Sequence, residues 1–256
     1  METILSLKGV SLNFGGLHAV KKASFDVPKG RITSLIGPNG AGKTTIFNII
    51  CGILKPFEGE IDFCGVDIAG EQPHRVAHRG IGRTFQAPRT FGSMTVLENV
   101  MVGLRQKGEN PAWALLRGKT MMDDWNEARR RSEAMLDEVG LLSRAYEPGH
   151  KLSFGEQRFL SIARTMVSRP ALVLMDEPTV GLDTANLEVL SRMIKRIAKH
   201  NTSTVLLIEH NMEMVMSLSH RVTLMVHGTV VTSGDPGEVR GHRMMSEAYL
   251  GVSHVA

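Results

Sequence analysis

No stretch of this 256-residue chain approaches the roughly 18 consecutive apolar residues that a membrane-crossing helix needs, and long candidates such as Ala171 to Met175 and Val205 to Ile208 have strand length. Cysteine is scarce as well. Having only Cys51 and Cys64, and no Cys-x-x-Cys pair, argues against a disulfide framework and against a metal site. Charge of one sign is not in marked excess: 30 Lys+Arg against 26 Asp+Glu leave +4, which suits a nucleotide binder or a neighbour of anionic lipid and is too weak a bias for nucleic-acid binding. The opening residues Met1-Glu2-Thr3-Ile4 carry an early acid and then alternate polar with apolar, unlike a secretory signal. Internal repeats and low-complexity segments are absent. Together these absences predict a soluble chain in a reducing, cytosolic setting, one that works at a membrane only if another chain provides the span.

At 42% hydrophobic and 22% charged residues, the composition predicts one compact unit, with or without a lobe, near the upper size of a single core. Residues 3–14, 18–27 and 59–64 alternate apolar with polar and each reads as an edge strand, with Pro28-Lys29-Gly30 as a turn, and the set forms an antiparallel β patch. Later come three continuous apolar runs, Leu172 to Met175, Thr204 to Ile208 and Val222 to Val226. A helical pattern over 184–199 separates the first two, as in doubly buried parallel strands of an α/β sheet. Residues 96–147 have helical texture: Thr95 is placed to cap the segment from Val96, and 123–139 carry charges on one side with Ala134, Leu136 and Val139 on the other. The stretch from Gly103 to Thr120 reads as an irregular connection. From Gly234 the tail opens with Asp235-Pro236, a cap followed by proline at the first helical position, which predicts two short helices.

The chemistry begins at Gly37-Pro38-Asn39-Gly40-Ala41-Gly42-Lys43-Thr44, which fits G-x-x-x-x-G-K-[ST] and lies between the apolar run 32–36 and the helix-like 45–50. Glycines let successive backbone N–H groups turn inward around a polyphosphate, and the helix N-terminus adds unpaired donors and a favourable dipole. Lys43 supplies a cation for the β/γ-phosphates and Thr44 a hydroxyl for Mg²⁺. A second apolar strand, Leu172 to Met175, ends in Asp176-Glu177. Asp176 is placed to anchor Mg²⁺ and Glu177 to take a proton from attacking water.

Between these motifs lies Lys151-Leu152-Ser153-Phe154-Gly155-Glu156-Gln157-Arg158, and here the chain resembles the ATP-binding subunits of ABC transporters, whose signature is usually Leu-Ser-Gly-Gly-Gln. Leu152, Ser153, Gly155 and Gln157 fall on that signature, Glu156 sits in the extra position before the glutamine, and Phe154 replaces the first glycine. By itself a Ser-x-Gly helix start is only a cap. The resemblance implies ATP and Mg²⁺ as ligands, bound by the whole 37–44 loop with Thr45, and Ser153, Gly155 and Gln157 as a cover for the phosphates in a second subunit. It further implies adenine stacking by Phe14, contact of Gln86 with Mg²⁺ and the attacking water, a crossing loop at Asp183, and a γ-phosphate contact for His210. Without that family context, Phe14 reads equally well as core and His210 as a structural residue.

Four segments narrow the resemblance: Phe14-Gly15-Gly16-Leu17, Arg83-Thr84-Phe85-Gln86, Met94 to Val100, and Ala248-Tyr249-Leu250-Gly251 are similar to the ATPases of branched-chain amino acid importers, a group that includes urea and related amide uptake systems. Lipopolysaccharide-export ATPases share several of these features. The implied organisation is a single α/β nucleotide-binding domain over 1–256. A P-loop core with a mixed sheet and an N-terminal antiparallel part would occupy 1–86 and 164–233, an inserted helical signature subdomain 87–163, and a helical tail 234–256. The implied partners are a second ATP-binding subunit, identical or paralogous, arranged head to tail, with transmembrane permeases and, indirectly, a solute-binding protein. The implied place is the cytoplasmic face of the inner membrane. An unrelated P-loop kinase or GTPase would leave Leu152 to Gln157 and His210 without roles, and a ribosome- or DNA-directed relative would carry two cassettes or long coiled coils. The fifteen methionines read as packing residues, His74 and His78 as a solvated helix face, and Arg129-Arg130-Arg131 likewise.

Overall fold

The computed structural model describes residues 2–85, 88–104, 118–199 and 203–250. In chain order the elements are β1 (Thr3–Phe14), β2 (Leu17–Pro28), β3 (Ile32–Ile36), α1 (Lys43–Ile50), β4 (Glu58–Phe63), β5 (Val66–Asp67), α2 (Pro73–Arg79) and β6 (Ile81–Thr84). Among the described residues three α-helices follow, α3 (Val96–Met101), α4 (Gly118–Glu138) and α5 (Phe154–Met166), with short 3-10 turns at Leu142–Arg144 and Gly149–Lys151 between the last two. The chain then continues through β7 (Leu172–Asp176), α6 (Thr184–Lys199), β8 (Thr204–Ile208), α7 (Met212–Leu218), β9 (Arg221–Val226), β10 (Thr229–Gly234), α8 (Pro236–Arg240) and α9 (Arg243–Leu250). Two compact units result: Met1–Arg83 with Ala171–Thr179 and Ile194–Ala256, and Thr84–Pro170 with Val180–Met193.

The first unit holds two sheets, a six-stranded one in the order β10-β9-β3-β8-β7-β6 and a four-stranded one in the order β2-β1-β4-β5. β3 pairs in parallel with β8 and β9, and β7 in parallel with β8. Every residue of β3, β7 and β8 is buried, which is why these strands read as unbroken apolar runs and not as alternations. The expectation of edge strands at 3–14 and 59–64 is corrected: β1 lies antiparallel between β2 and β4, and β4 antiparallel between β1 and β5, so of the three only β2 stands at the edge. An alternating pattern reports one buried face and says nothing of how many neighbours the ladder has. Leu5, Leu7, Val20, Phe25, Ile46, Phe47, Ile49, Ile61, Leu172, Leu206 and Ile208 belong to one core cluster to which both sheets and α1 contribute.

The second unit is predominantly helical. Thr95 starts α3 with a reciprocal cap, its hydroxyl accepting from the Glu98 N–H while Glu98 accepts from the Thr95 N–H. Asn99 is fully buried and organises the preceding loop: Oδ1 accepts from Phe91 N–H at 2.8 Å, and Nδ2 reaches the carbonyls of Phe91, Met94 and Thr95 at 3.0, 3.3 and 2.9 Å. Where α3 ends the chain passes against α5 so closely that a Cβ on Gly103 would sit 1.9 Å from the Arg164 carbonyl oxygen. The helix expected over 123–139 is α4, with one adjustment to its inward face. Leu136 and Val139 are buried as expected, whereas Ala134 is exposed and Ser132 is buried in its place. Most of the irregular connection expected between Gly103 and Thr120 lies outside the described residues, and its end is corrected, since Gly118 to Thr120 already belong to α4.

Candidate nucleotide site

Strands β3, β7 and β8 are neighbours running the same way, so the residues just past their carboxyl ends share one edge of the sheet. Past β3 comes the 37–44 loop. Gly37, Gly40 and Gly42 have φ of +150°, +77° and +98°, and a Cβ on Gly37 would stand 2.0 Å from the Met225 carbonyl oxygen. Glycine is therefore required at 37 for close packing and at 40 and 42 for backbone conformation. Gly42 caps α1, whose first turn carries Lys43, Thr44 and Thr45; Thr44 is exposed, as are Asn39 and Gly40.

The Lys43 side chain is buried against the loop that precedes it, Nζ donating to the carbonyls of Gly37 at 2.7 Å and Pro38 at 2.8 Å. Burial lowers its pKa from the ordinary lysine value, and the nearby Glu177 and Asp176 charges counter that effect. At the end of β7, Asp176 Oδ2 accepts from Arg83 Nη2 at 3.1 Å. Its other oxygen, Oδ1, is buried with no hydrogen-bond partner among the described residues. Burial raises the Asp176 pKa, and the Arg83 guanidinium offsets part of that rise. Arg83 also donates to Asn48 Oδ1 at 2.6 Å and lies over the Phe47 ring.

Glu177 adopts a left-handed backbone, φ +47°, rare for a residue with a side chain and characteristic of sites where the surroundings over-determine the conformation. Its Oε1 is 2.8 Å from His210 Nε2. Lys43, Asp176, Glu177 and His210 thus belong to the first unit and stand at its parallel strand ends. Phe14, half exposed, sits opposite Leu17 at the tip of the β1-β2 hairpin. Gln86 lies outside the described residues.

Ser153, Gly155, Gln157 and Asp183 belong to the second unit. Ser153 caps α5 in a reciprocal box with Glu156, Gln157 Nε2 donates to the Leu152 carbonyl at 2.9 Å, and Asp183 Oδ1 accepts from the Asn186 N–H at 2.8 Å. Phe154 fills the place of the usual glycine by packing on Gly181, where a Cβ would meet its ring at 2.6 Å. Behind it Arg158, 1% exposed, stacks 5.5 Å from the Phe154 ring centroid and donates to the carbonyls of Phe85 and Val180.

Sequence reasoning left Arg83, Arg158 and Glu209 without roles. Arg83 was visible only as part of a motif string, and Glu209 only as the residue before His210; neither spacing nor composition marks a carboxylate or guanidinium as buried.

Fold and site together define the class of protein: an α/β P-loop nucleotide hydrolase carrying a second, helical unit. The description ABC transporter matches residues 20–180. The chain is 38% identical over 251 residues to the high-affinity branched-chain amino acid transport ATP-binding protein LivG of Salmonella typhimurium and to that of Escherichia coli, covering 98% of both chains in each case. It is 37% identical to BraF of Pseudomonas aeruginosa, a protein of the same description, over 97% of this chain and 98% of that one. The structure resembles the ADP conformation of MJ1267, an ATP-binding cassette of an ABC transporter, with a TM-score of 0.83 and 29% identity over 98% of this chain and all of that one. It also resembles the dimeric post-hydrolysis state of the cassette MJ0796 bound to ADP and Pi, with a TM-score of 0.75 and 25% identity over 91% of this chain and 98% of that one.

The chain belongs to the ABC transporter family. It is an ATP-binding, ATP-hydrolysing transporter subunit. No helix among the described residues is long and apolar enough to cross a membrane.

Proposed function

We propose that this ATPase energises uptake of branched-chain amino acids or a related small polar solute, working from the cytoplasmic face of the inner membrane. The observation that carries the chemistry is the convergence of Lys43, Asp176, Glu177 and His210 at adjacent strand ends; support for the solute class is the end-to-end likeness to LivG and BraF. Lys43 and the 37–44 backbone, with Thr45, bind the phosphates, and Phe14 stacks on adenine. Glu177 accepts a proton from the attacking water, and His210 contacts the γ-phosphate.

Mg²⁺ fits the donors present. Asp176 Oδ1 is a buried carboxylate oxygen lacking a hydrogen-bond partner among the described residues, and the Thr44 hydroxyl stands in the first turn after the loop. Thr44 and Asp176, with Gln86, would hold the ion, which when bound supplies positive charge to the β- and γ-phosphates. Arg83 meanwhile keeps Oδ2 engaged and the carboxylate oriented.

The reading extends to assembly. ATP held by Lys43 of one subunit is covered by Ser153 and Gly155 of a second, identical or paralogous, and Asp183 lies in the crossing loop. Residues 87–163 form the signature subdomain, and its loop ending at Met94, with Phe91 and Met94 exposed, meets the permease. A solute-binding protein delivers cargo to the permease. The test is vesicle uptake with the chain reconstituted beside candidate permeases and a solute-binding protein. ATP-dependent accumulation of labelled leucine, isoleucine or valine, or of an amide such as urea, lost with Lys43→Ala, is the expected result. Outward movement of lipopolysaccharide in its place would overturn the importer reading.

A further inference from the structure

We infer that Glu209 is a positioning residue for ATP hydrolysis: its buried carboxylate ties the chain leaving Glu177 to the chain entering His210, and so sets the geometry between those two groups. The inference rests on the reading of Glu177 as the proton acceptor and His210 as its neighbour at the phosphate.

Glu209 is 1% exposed, a degree of burial that a carboxylate almost never reaches unless its oxygens are matched by donors. Oε1 accepts from the Thr179 N–H at 2.9 Å; Oε2 accepts from the Thr179 hydroxyl at 2.8 Å and from the His210 N–H at 3.1 Å. All three donors are neutral, and no basic side chain among the described residues forms an ion pair with it. A tie between two loops for stability alone needs no carboxyl group at that depth. What the carboxylate adds is two acceptor oxygens on a rigid plane, which collect donors from both segments at once.

Those segments bracket the reacting groups. Thr179 is two residues past Glu177, and the intervening Pro178 has its φ fixed by the ring, so the link between them is short and stiff. On the other side, Glu177 N–H donates to the Ile208 carbonyl at 2.9 Å, and Asp176 pairs in register with Ile208. The two strand ends are therefore joined in three consecutive ways: ladder pairing at Asp176 and Ile208, the Glu177 to Ile208 bond, and the Glu209 clamp on Thr179. Only the clamp also holds the backbone of His210. A left-handed Glu177 persists only where its neighbours restrain it, and the residues beyond it are restrained by Glu209. Released, the Glu177 to His210 contact of 2.8 Å has no reason to keep its length.

The test is Glu209→Gln, which preserves size but sets an amide NH₂ against donors that need an acceptor. In steady-state hydrolysis kcat should fall about 10- to 100-fold, the scale of a 1 Å misplacement, while KM and the dissociation constant of a fluorescent ATP analogue stay within about twofold. Thr179→Val, which leaves the carboxylate in place and removes one donor, should lose less, and Thr179→Ser should recover most of that loss; this pair carries the test if Glu209→Gln does not fold. Because residues acting as a unit are not additive, Glu209→Gln placed in a Glu177→Gln background should lower the residual rate no further. Wild-type kcat in Glu209→Gln, an affinity loss equal to the kcat loss, or a full further drop in the double variant would each overturn the inference. A Glu177→Gln protein that hydrolyses ATP at the wild-type rate would overturn the underlying reading of Glu177, whatever Glu209→Gln does.

Discussion

Glu177→Gln removes a carboxylate and little else. The glutamine amide has the same length and branching, so it can occupy the same position 2.8 Å from His210 Nε2 and hydrogen-bond to whichever tautomer the ring presents. The left-handed backbone at 177 is as strained for Gln as for Glu, and the Glu177 N–H bond to Ile208 does not involve the side chain. Folding stability should accordingly move by no more than about 0.5 kcal/mol, the usual range for a substitution that disturbs no buried feature. Nucleotide affinity should also survive, since Lys43, Thr44, Asp176 and the loop backbone are untouched. The rate is another matter, because an amide cannot accept the proton of an attacking water. Loss of a general base costs roughly 10²- to 10⁴-fold, or about 2.7 to 5.5 kcal/mol in the barrier. Phosphate release under saturating Mg-ATP measures that fall, and light scattering measures its companion: with hydrolysis blocked, an ATP-dependent dimer should accumulate, and adding Ser153→Arg should abolish it. Hydrolysis within threefold of wild type would refute the assignment of Glu177. A protein that stays monomeric with ATP, even beside its natural ATPase partner, would refute the shared-nucleotide arrangement.

Lys43→Ala deletes two hydrogen bonds, to Gly37 and Pro38, but also relieves the desolvation that lowers the lysine pKa, so stability should change by only about 1 kcal/mol while ATP binding weakens greatly and hydrolysis disappears; near-normal turnover would contradict the phosphate role. Phe14→Ala should raise the nucleotide dissociation constant about 5- to 100-fold, from ~1–3 kcal/mol of base stacking, with Phe14→Tyr mild; equal affinity in both variants, read by fluorescence titration, would make Phe14 a bystander. Asn99→Leu strips the loop before α3 of four hydrogen bonds and should cost about 2–4 kcal/mol in denaturant unfolding, with proteolysis appearing between Phe91 and Thr95, whereas an unchanged midpoint would show that the loop holds itself.

What the sequence determined by itself was local chemistry. The glycine loop, the caps at Thr95, Ser153 and Asp235, and the acids after β7 lie within a few consecutive residues, where φ preferences and hydrogen-bond reach act directly, so their motifs could be read as strings. The buried parallel strands were legible for a related reason, since burial on both faces leaves an unbroken apolar run. Sheet order is different. Whether β1 stood at an edge depended on β4 returning some fifty residues later to pair with its free side, and no pattern within residues 3–14 encodes that partner. The same holds for the side chains that tune the site. Arg83 meets Asp176, Phe154 rests on Gly181, and Glu209 reaches Thr179 only because distant segments are brought edge to edge by the sheet and the helix packing. A buried charge is tolerated only where its donors converge, and that convergence is a property of three-dimensional packing, which is why the tertiary structure alone decided it.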